Sequence, residues 1–247
     1  PTTKGVDGTF AIPAIDGKRG VFSKLTDGIV IAHNFFYWGH GVSIGSETNA
    51  GVTNVKVYDN SFNGGEEGIR IKSDWARGGE VSNISYTNLC MKNMQNALLF
   101  TPYYSSKAIS NSTLAGVPFV PNIHDISITN VSISGGTDVI LRGFQATTAY
   151  TSASPTVIAQ RPLTMTLSNV ATDAMDKTNL FMSDANFTLS GLVNLPIVPD
   201  SANRVSVSGN ATPTTKGISS IVDCSQAFVD FPLSLIHISE PTRRRGI

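Results

Sequence analysis

Hydrophobic residues recur along the middle of the chain in short runs of period two. Five runs share one pattern: alternating apolar residues, then an asparagine at a polar bend. They are Ile29 to Asn34, Val55 to Asn60, Ile84 to Asn88, Ile126 to Asn130 and Met165 to Asn169. Alternation of this kind marks strands with one buried face, because successive side chains point to opposite sides. A second run follows each asparagine at a similar offset: Val42–Ile44, Ile69–Ile71, Leu98–Phe100, Val139–Leu141 and Leu180–Met182. Helical periodicity is scarce.

The bend asparagines lie 26, 28, 42 and 39 residues apart. The two long gaps hold loop-like stretches, Tyr103 to Val120 and Gly143 to Pro162, the second rich in Ser, Thr, Ala and Pro. Without those insertions the period sits in the mid-twenties. Two short strands per repeat at that period predict a parallel β-helix, whose coils bury their apolar face only when stacked. A β-sandwich of evenly spaced strands is the alternative. Asparagine suits each bend, since it tolerates a left-handed backbone. Repeated at one place per coil, it predicts an asparagine ladder.

Composition narrows the function classes. Of 247 residues, 40% are hydrophobic and 15% charged, too apolar for a disordered chain. Lys+Arg and Asp+Glu are each 18, so the basic excess of a nucleic-acid binder is missing. No run reaches the roughly 18 apolar residues that span a bilayer, and membrane partners are not expected. The two cysteines, Cys90 and Cys224, exclude a disulfide-dense scaffold and a four-cysteine zinc site. Cys90 lies in an alternating context and reads as a small buried hydrophobe. Nothing in the sequence pairs it with Cys224.

The chemistry concentrates in two neighbouring repeats. Gly39-His40-Gly41-Val42-Ser43-Ile44-Gly45-Ser46-Glu47 precedes and contains one short run. One repeat later comes Gly68-Ile69-Arg70-Ile71-Lys72-Ser73. Alternation places Ile69 and Ile71 on the core side and Arg70 and Lys72 together on the outer side. Stacking sets Val42–Ile44 beside Ile69–Ile71, roughly 4.8 Å away. His40 then lies at the edge of the cationic patch. Strict alternation would turn it inward, but Gly39 and Gly41 permit a redirecting break.

Together these motifs resemble the signature of glycoside hydrolase family 28, the polygalacturonases that degrade pectin. The likeness runs from His33 to Asp74 almost continuously, and the repeats up to about Asn169 fit further coils. The resemblance implies an all-β, right-handed parallel β-helix (a pectin-lyase-like solenoid) and inverting hydrolysis of α-1,4-galacturonan without a cofactor. It implies a monomer, secreted or periplasmic, with polygalacturonate or pectin as its partner. His40 would orient the catalytic acid. Arg70 and Lys72 would bind the galacturonate carboxylate, for which a cationic pair is chemically suited. Tyr104, ending Ala97 to Tyr104, is similar to a family tyrosine near the sugar subsites, with Tyr103 as competitor. Lys18 and Arg19 could extend the cleft, although a solvated turn is the ordinary reading of such a pair.

Upstream the pattern departs from the family. Members carry Asn-Thr-Asp, then an Asp-Asp pair followed by a short strand. Phe10 to Ala14 resembles that strand, which sets the pair on Asp7 and Gly8. Asp7 matches the proton donor, and glycine replaces the second aspartate. The Asn-Thr-Asp would precede Pro1, so N-terminal coils are expected to be missing and this chain to be inactive. Residues 1–232 are therefore expected to form a partial β-helix. Residues 233–247 are expected to be a non-native tail, because Leu233 to Arg243 resembles the translation of a transposon-type sequencing adapter. Without that tail the chain carries 15 basic and 17 acidic residues, a net charge of −2. Two other classes remain: a non-catalytic pectin-binding β-helix, motivated by Gly8, and a β-helical polysaccharide lyase. The lyase is disfavoured by the expectation that no acidic cluster lies beside the His40 and Arg70 repeats. No metal-ligand spacing is present.

Overall fold

A computed structural model describes residues 25–74, 78–104, 120–150, 155–212 and 221–230. Two parallel sheets run through it. One stacks the short second runs, now seen as Val42–Ile44, Glu67–Lys72, Asn96–Thr101, Thr137–Arg142 and Thr178–Ser183. The other stacks long strands, among them Val52–Asn63, Glu80–Lys92, Asn122–Ser134, Leu163–Thr172, Ala185–Val193 and Val205–Thr212. Every neighbour in both is parallel, the pattern of a parallel β-helix. An antiparallel pair, Thr147–Tyr150 with Pro155–Ile158, stands apart inside the second expected insertion.

Register explains the core. Val55, Ile84, Ile126, Met165 and Phe187 stack as one inward column, and each is buried. Ile69, Leu98, Val139 and Leu180 form a column in the opposite sheet. Tyr86 meets Phe100 across the interior, edge to face at 5.9 Å. Phe36 stacks flat on Phe62 at 4.8 Å, in the next coil. Each fully buried apolar side chain of this size contributes about 1.5–3 kcal/mol, and none could be buried by a single coil.

The long strands bend at left-handed residues, and here the expected ladder shifts by one position. Asn88, Asn130 and Asn169 have φ near +55°, as do His33 and Asp59 in place of Asn34 and Asn60. Side-chain bonds run from Asn169 to Asn130, Asn130 to Asn88 and Asn88 to Asp59, at 3.0–3.1 Å. Asn34 and Asn60 form a neighbouring pair at 3.0 Å, one residue beyond the bend. A second left-handed corner holds Asn54, Asn83 and Asp125. There Asn83 donates to Asn54, and Asn54 to Asp27 at 2.6 Å.

Alternation also fails where three consecutive residues are buried, as at Leu89, Cys90 and Met91. Leu89 and Met91 point inward, while Cys90 points outward and is covered by the segment 221–230. The state of the two cysteines, which the sequence leaves open, is set here: Cys90 and Cys224 form a disulfide with Cα atoms 5.8 Å apart. Outward small residues, Ser61 and Ser132 beside Cys90 in register, let that segment approach. Tyr37 Oη donates to the Val229 carbonyl at 3.0 Å, and Lys92 Nζ lies 5.5 Å from the Phe228 ring centre. The bridge closes a loop of 134 residues. Chain entropy for such a loop gives roughly 5 kcal/mol as an upper figure. Reduction or Cys224→Ser is expected to cost several kcal/mol and to free the segment, read as a lower thermal midpoint and faster amide exchange in 221–230.

On the long sheet, His124 contacts Glu80 and, at 2.8 Å, Asp125. Partial burial pulls its pKa down, but the bonds and charges of the two carboxylates outweigh that and raise it. A raised histidine pKa stabilises the fold below the unfolded value and loses that contribution as pH rises through the folded value. The melting-temperature advantage of the wild type over His124→Gln should therefore shrink from pH 5.5 to pH 8.

Candidate functional site

The site grows from the pairing of Val42–Ile44 with Ile69–Ile71. That register sets Ser43 beside Arg70 and, three residues earlier, brings His40 beside Glu67. Gly39 and Gly41 have φ of +73° and +53°. A Cβ on Gly41 would lie 2.1 Å from the Gly68 carbonyl oxygen, so only glycine lets the two coils close here. The expected break is present, and the His40 side chain remains 54% exposed.

His40 Nδ1 lies 2.5 Å from Glu67 Oε2 and 3.1 Å from Glu66 Oε2. Carboxylates accept, so Nδ1 carries a hydrogen and donates to Glu67. Glu67 Oε1 meets Arg70 at NH1, 3.3 Å away. Arg70 Nε donates to Ser43 Oγ at 2.6 Å. Arg70 NH1 is also 3.4 Å from His40 Nδ1, a closeness set by the shared carboxylate, since both nitrogens carry hydrogen. Ile69 and Ile71 are fully buried as expected. Arg70 and Lys72 share the outer face, but the Arg70 side chain is only 12% exposed.

Lys72 Nζ sits 3.9 Å from the centre of the Tyr104 ring. Tyr104 is 51% exposed with φ of +56°, and its N–H donates to the Ser73 carbonyl at 2.8 Å. Tyr103 is buried instead, and its hydroxyl accepts from Gln145 N–H at 2.7 Å. Burial raises its pKa. Tyr104 is thus the tyrosine placed at the cationic face. Just past Lys72, buried Thr48 donates to the Gly78 carbonyl at 2.7 Å. Its one proton being used, Thr48 accepts from Ser73 Oγ at 2.8 Å, which anchors the end of the Arg70 strand.

His40, Arg70, Lys72 and Tyr104 are therefore gathered along one outer side of the short-strand sheet. Asp7, Lys18 and Arg19 lie outside the described residues, as do positions 231–247. One expectation is overturned: an acidic pair does stand beside these motifs. Glu66 and Glu67 have no sequence signal as site residues, since they directly precede the Arg70 run and only the coil register brings them to His40. His40, Glu66 and Glu67 present ligand atoms within 4.8 Å of one another, close enough to hold a cation. Glu67, however, is already engaged by both His40 and Arg70. Ser43 was likewise missed; its signal was the equal parity of Ser43 and Arg70 in adjacent coils.

The sequence profile of Glycosyl hydrolases family 28 matches residues 21–171. A polygalacturonase of Ralstonia solanacearum is 35% identical over 240 residues, covering 89% of this chain and 41% of the relative. A polygalacturonase of Ralstonia nicotianae is 37% identical over 234 residues, covering 87% and 40%. An endo-polygalacturonase of Pectobacterium parmentieri is 35% identical over 164 residues, covering 66% and 34%. The chain thus spans about two fifths of the length of the Ralstonia relatives and a third of the Pectobacterium one. No solved structure matches it.

The contact between Gly41 and Gly68 gives a direct check of this geometry. Gly41→Ala must push the His40 coil off the Arg70 coil. A loss of about 3 kcal/mol or more is expected, measured by denaturant unfolding, with Gly45→Ala, where a Cβ meets nothing within 4 Å, close to neutral.

Proposed function

The chain belongs to Glycosyl hydrolases family 28, and from that premise we propose that the protein hydrolyses α-1,4-galacturonan in pectin by water-mediated inversion. The observation that carries the reading is the cationic face of Arg70 and Lys72 with His40 at its rim. A galacturonate unit needs charge-assisted partners for its carboxylate and an apolar surface for its ring. Lys72 and the Tyr104 ring supply both side by side. In this reading Asp7 protonates the leaving oxygen, and His40 orients that acid. Arg70 and Lys72 hold the carboxylate of the sugar at the scissile bond, and Tyr104 packs on a neighbouring ring.

A secreted or periplasmic location agrees with the Cys90–Cys224 disulfide, since such bonds persist in oxidising compartments. Among the described residues, no helix is long and apolar enough to cross a membrane. The protein is proposed to act as a monomer on its polysaccharide.

A second reading, a pectin-binding β-helix without catalysis, is favoured by Gly8, which stands where the family pattern has an aspartate. One experiment separates the two. With the family's upstream Asn-Thr-Asp coils supplied and Gly8→Asp introduced, incubation with polygalacturonate should release new reducing ends if the hydrolase reading holds, whereas the chain with Gly8 is expected to release almost none. Binding without release supports the second reading, and an ultraviolet-absorbing unsaturated product that disappears with a chelator would indicate a lyase. In each binding case Arg70→Ala should weaken affinity for oligogalacturonate about tenfold or more, with binding of neutral galactan oligomers unchanged. Equal affinity of wild type, Arg70→Ala and Lys72→Ala for oligogalacturonate would remove the proposed role.

A further inference from the structure

Glu67 occupies an inward-parity position at the start of the Arg70 strand, in line with Ile69 and Ile71, where an apolar side chain is the ordinary choice. It is 7% exposed. A carboxylate this buried is costly unless every lone pair it turns inward finds a donor. Both of its oxygens do: Oε2 takes His40 Nδ1–H at 2.5 Å, and Oε1 faces Arg70 NH1 at 3.3 Å. The two partners come from different coils: Arg70 shares the Glu67 strand, and His40 precedes the strand that pairs with it.

We propose that Glu67 is a positioning residue that locks the His40 imidazole and the Arg70 guanidinium into one fixed arrangement. The inference rests on the galacturonan reading only for the ligand used to test it. Three constraints make the lock. Glu67 Oε2 accepts from His40 Nδ1–H and so fixes the orientation of the ring. Glu67 Oε1 and Ser43 Oγ hold two separate nitrogens of the Arg70 fork, NH1 and Nε, so the guanidinium plane cannot rotate. Glu66 cannot substitute: its side chain is 57% exposed, and its carboxylate reaches His40 from 3.1 Å without an ion pair to Arg70 in the structure. Preorganisation of this kind strengthens ligand binding by removing ordering costs at the moment of association.

The test uses the full chain with Glu67→Gln, Glu67→Asp and Glu66→Gln. Two quantities are measured: the proton resonance of His40 Nδ1–H by NMR, and the affinity for trigalacturonate by calorimetry. Wild type should show a far-downfield, slowly exchanging Nδ1–H signal. Glu67→Gln and Glu67→Asp should both lose it and bind trigalacturonate about tenfold more weakly, while Glu66→Gln keeps the signal. Glu67→Asp is decisive because it retains the charge and fails only in reach. It also serves if Glu67→Gln does not fold. Persistence of the signal in Glu67→Asp, its loss in Glu66→Gln, or unchanged or tighter trigalacturonate binding in the Glu67 variants would overturn the proposal. If wild type itself binds no trigalacturonate, the substrate reading falls, and the NMR signal alone decides the role of Glu67.

Discussion

Everything in this molecule depends on parallel coils hydrogen-bonded in register at a spacing of roughly 4.8 Å. A single coil buries almost nothing and places no two functional groups together. Stacked in register, Val55, Ile84, Ile126 and Met165 become a continuous wall, and Ser43 comes beside Arg70. The same constraint acts on the backbone. Gly41 has to be glycine because the Gly68 carbonyl occupies the place of its Cβ. Residues about 27 apart in sequence are therefore direct neighbours in space at this end of the stack.

Corners are the second requirement of such stacking, and they are solved locally. A left-handed residue ends each run, and Asp59, Asn88, Asn130 and Asn169 then bond to one another along the axis. This ladder carries no apolar burial, yet it resists slippage. A shift of one coil by one residue would break the ladder bonds that coil makes and turn its own inward side chains out. The disulfide to Cys224 ties a distant segment over the outward face of the same strands.

Much of this was legible in the residues. Period-two alternation located both sets of strands, because burial on one face is a local pattern. The five short runs agree with the observed sheet, and Gly39 and Gly41 announced the turn of His40. What the sequence hid was relational. The asparagines 34 and 60 look equivalent to 88, 130 and 169, but pairing aligns Asp59 with Asn88, and nothing local distinguishes the two alignments. Cys90 reads as a core residue since its burial is real; the covering segment lies 134 residues away. Glu66 and Glu67 carry no local signal of a site, because contact with His40 exists only across coils. The resemblance to polygalacturonases pointed to these motifs as a candidate site, and the acidic pair beside them was visible only in three dimensions.

The contact between His40 and Glu67 is where register, burial and site chemistry meet, so it offers the most direct measurement. A double-mutant cycle of His40→Ala and Glu67→Gln, read by reversible denaturant unfolding, isolates their interaction from the separate cost of each change. In-register stacking of the two coils predicts a coupling of about 1 kcal/mol or more, in the range found for contacting residues of one bonded network. Additive effects, with coupling near zero, would contradict the account, because residues 27 apart that do not touch have no reason to interact.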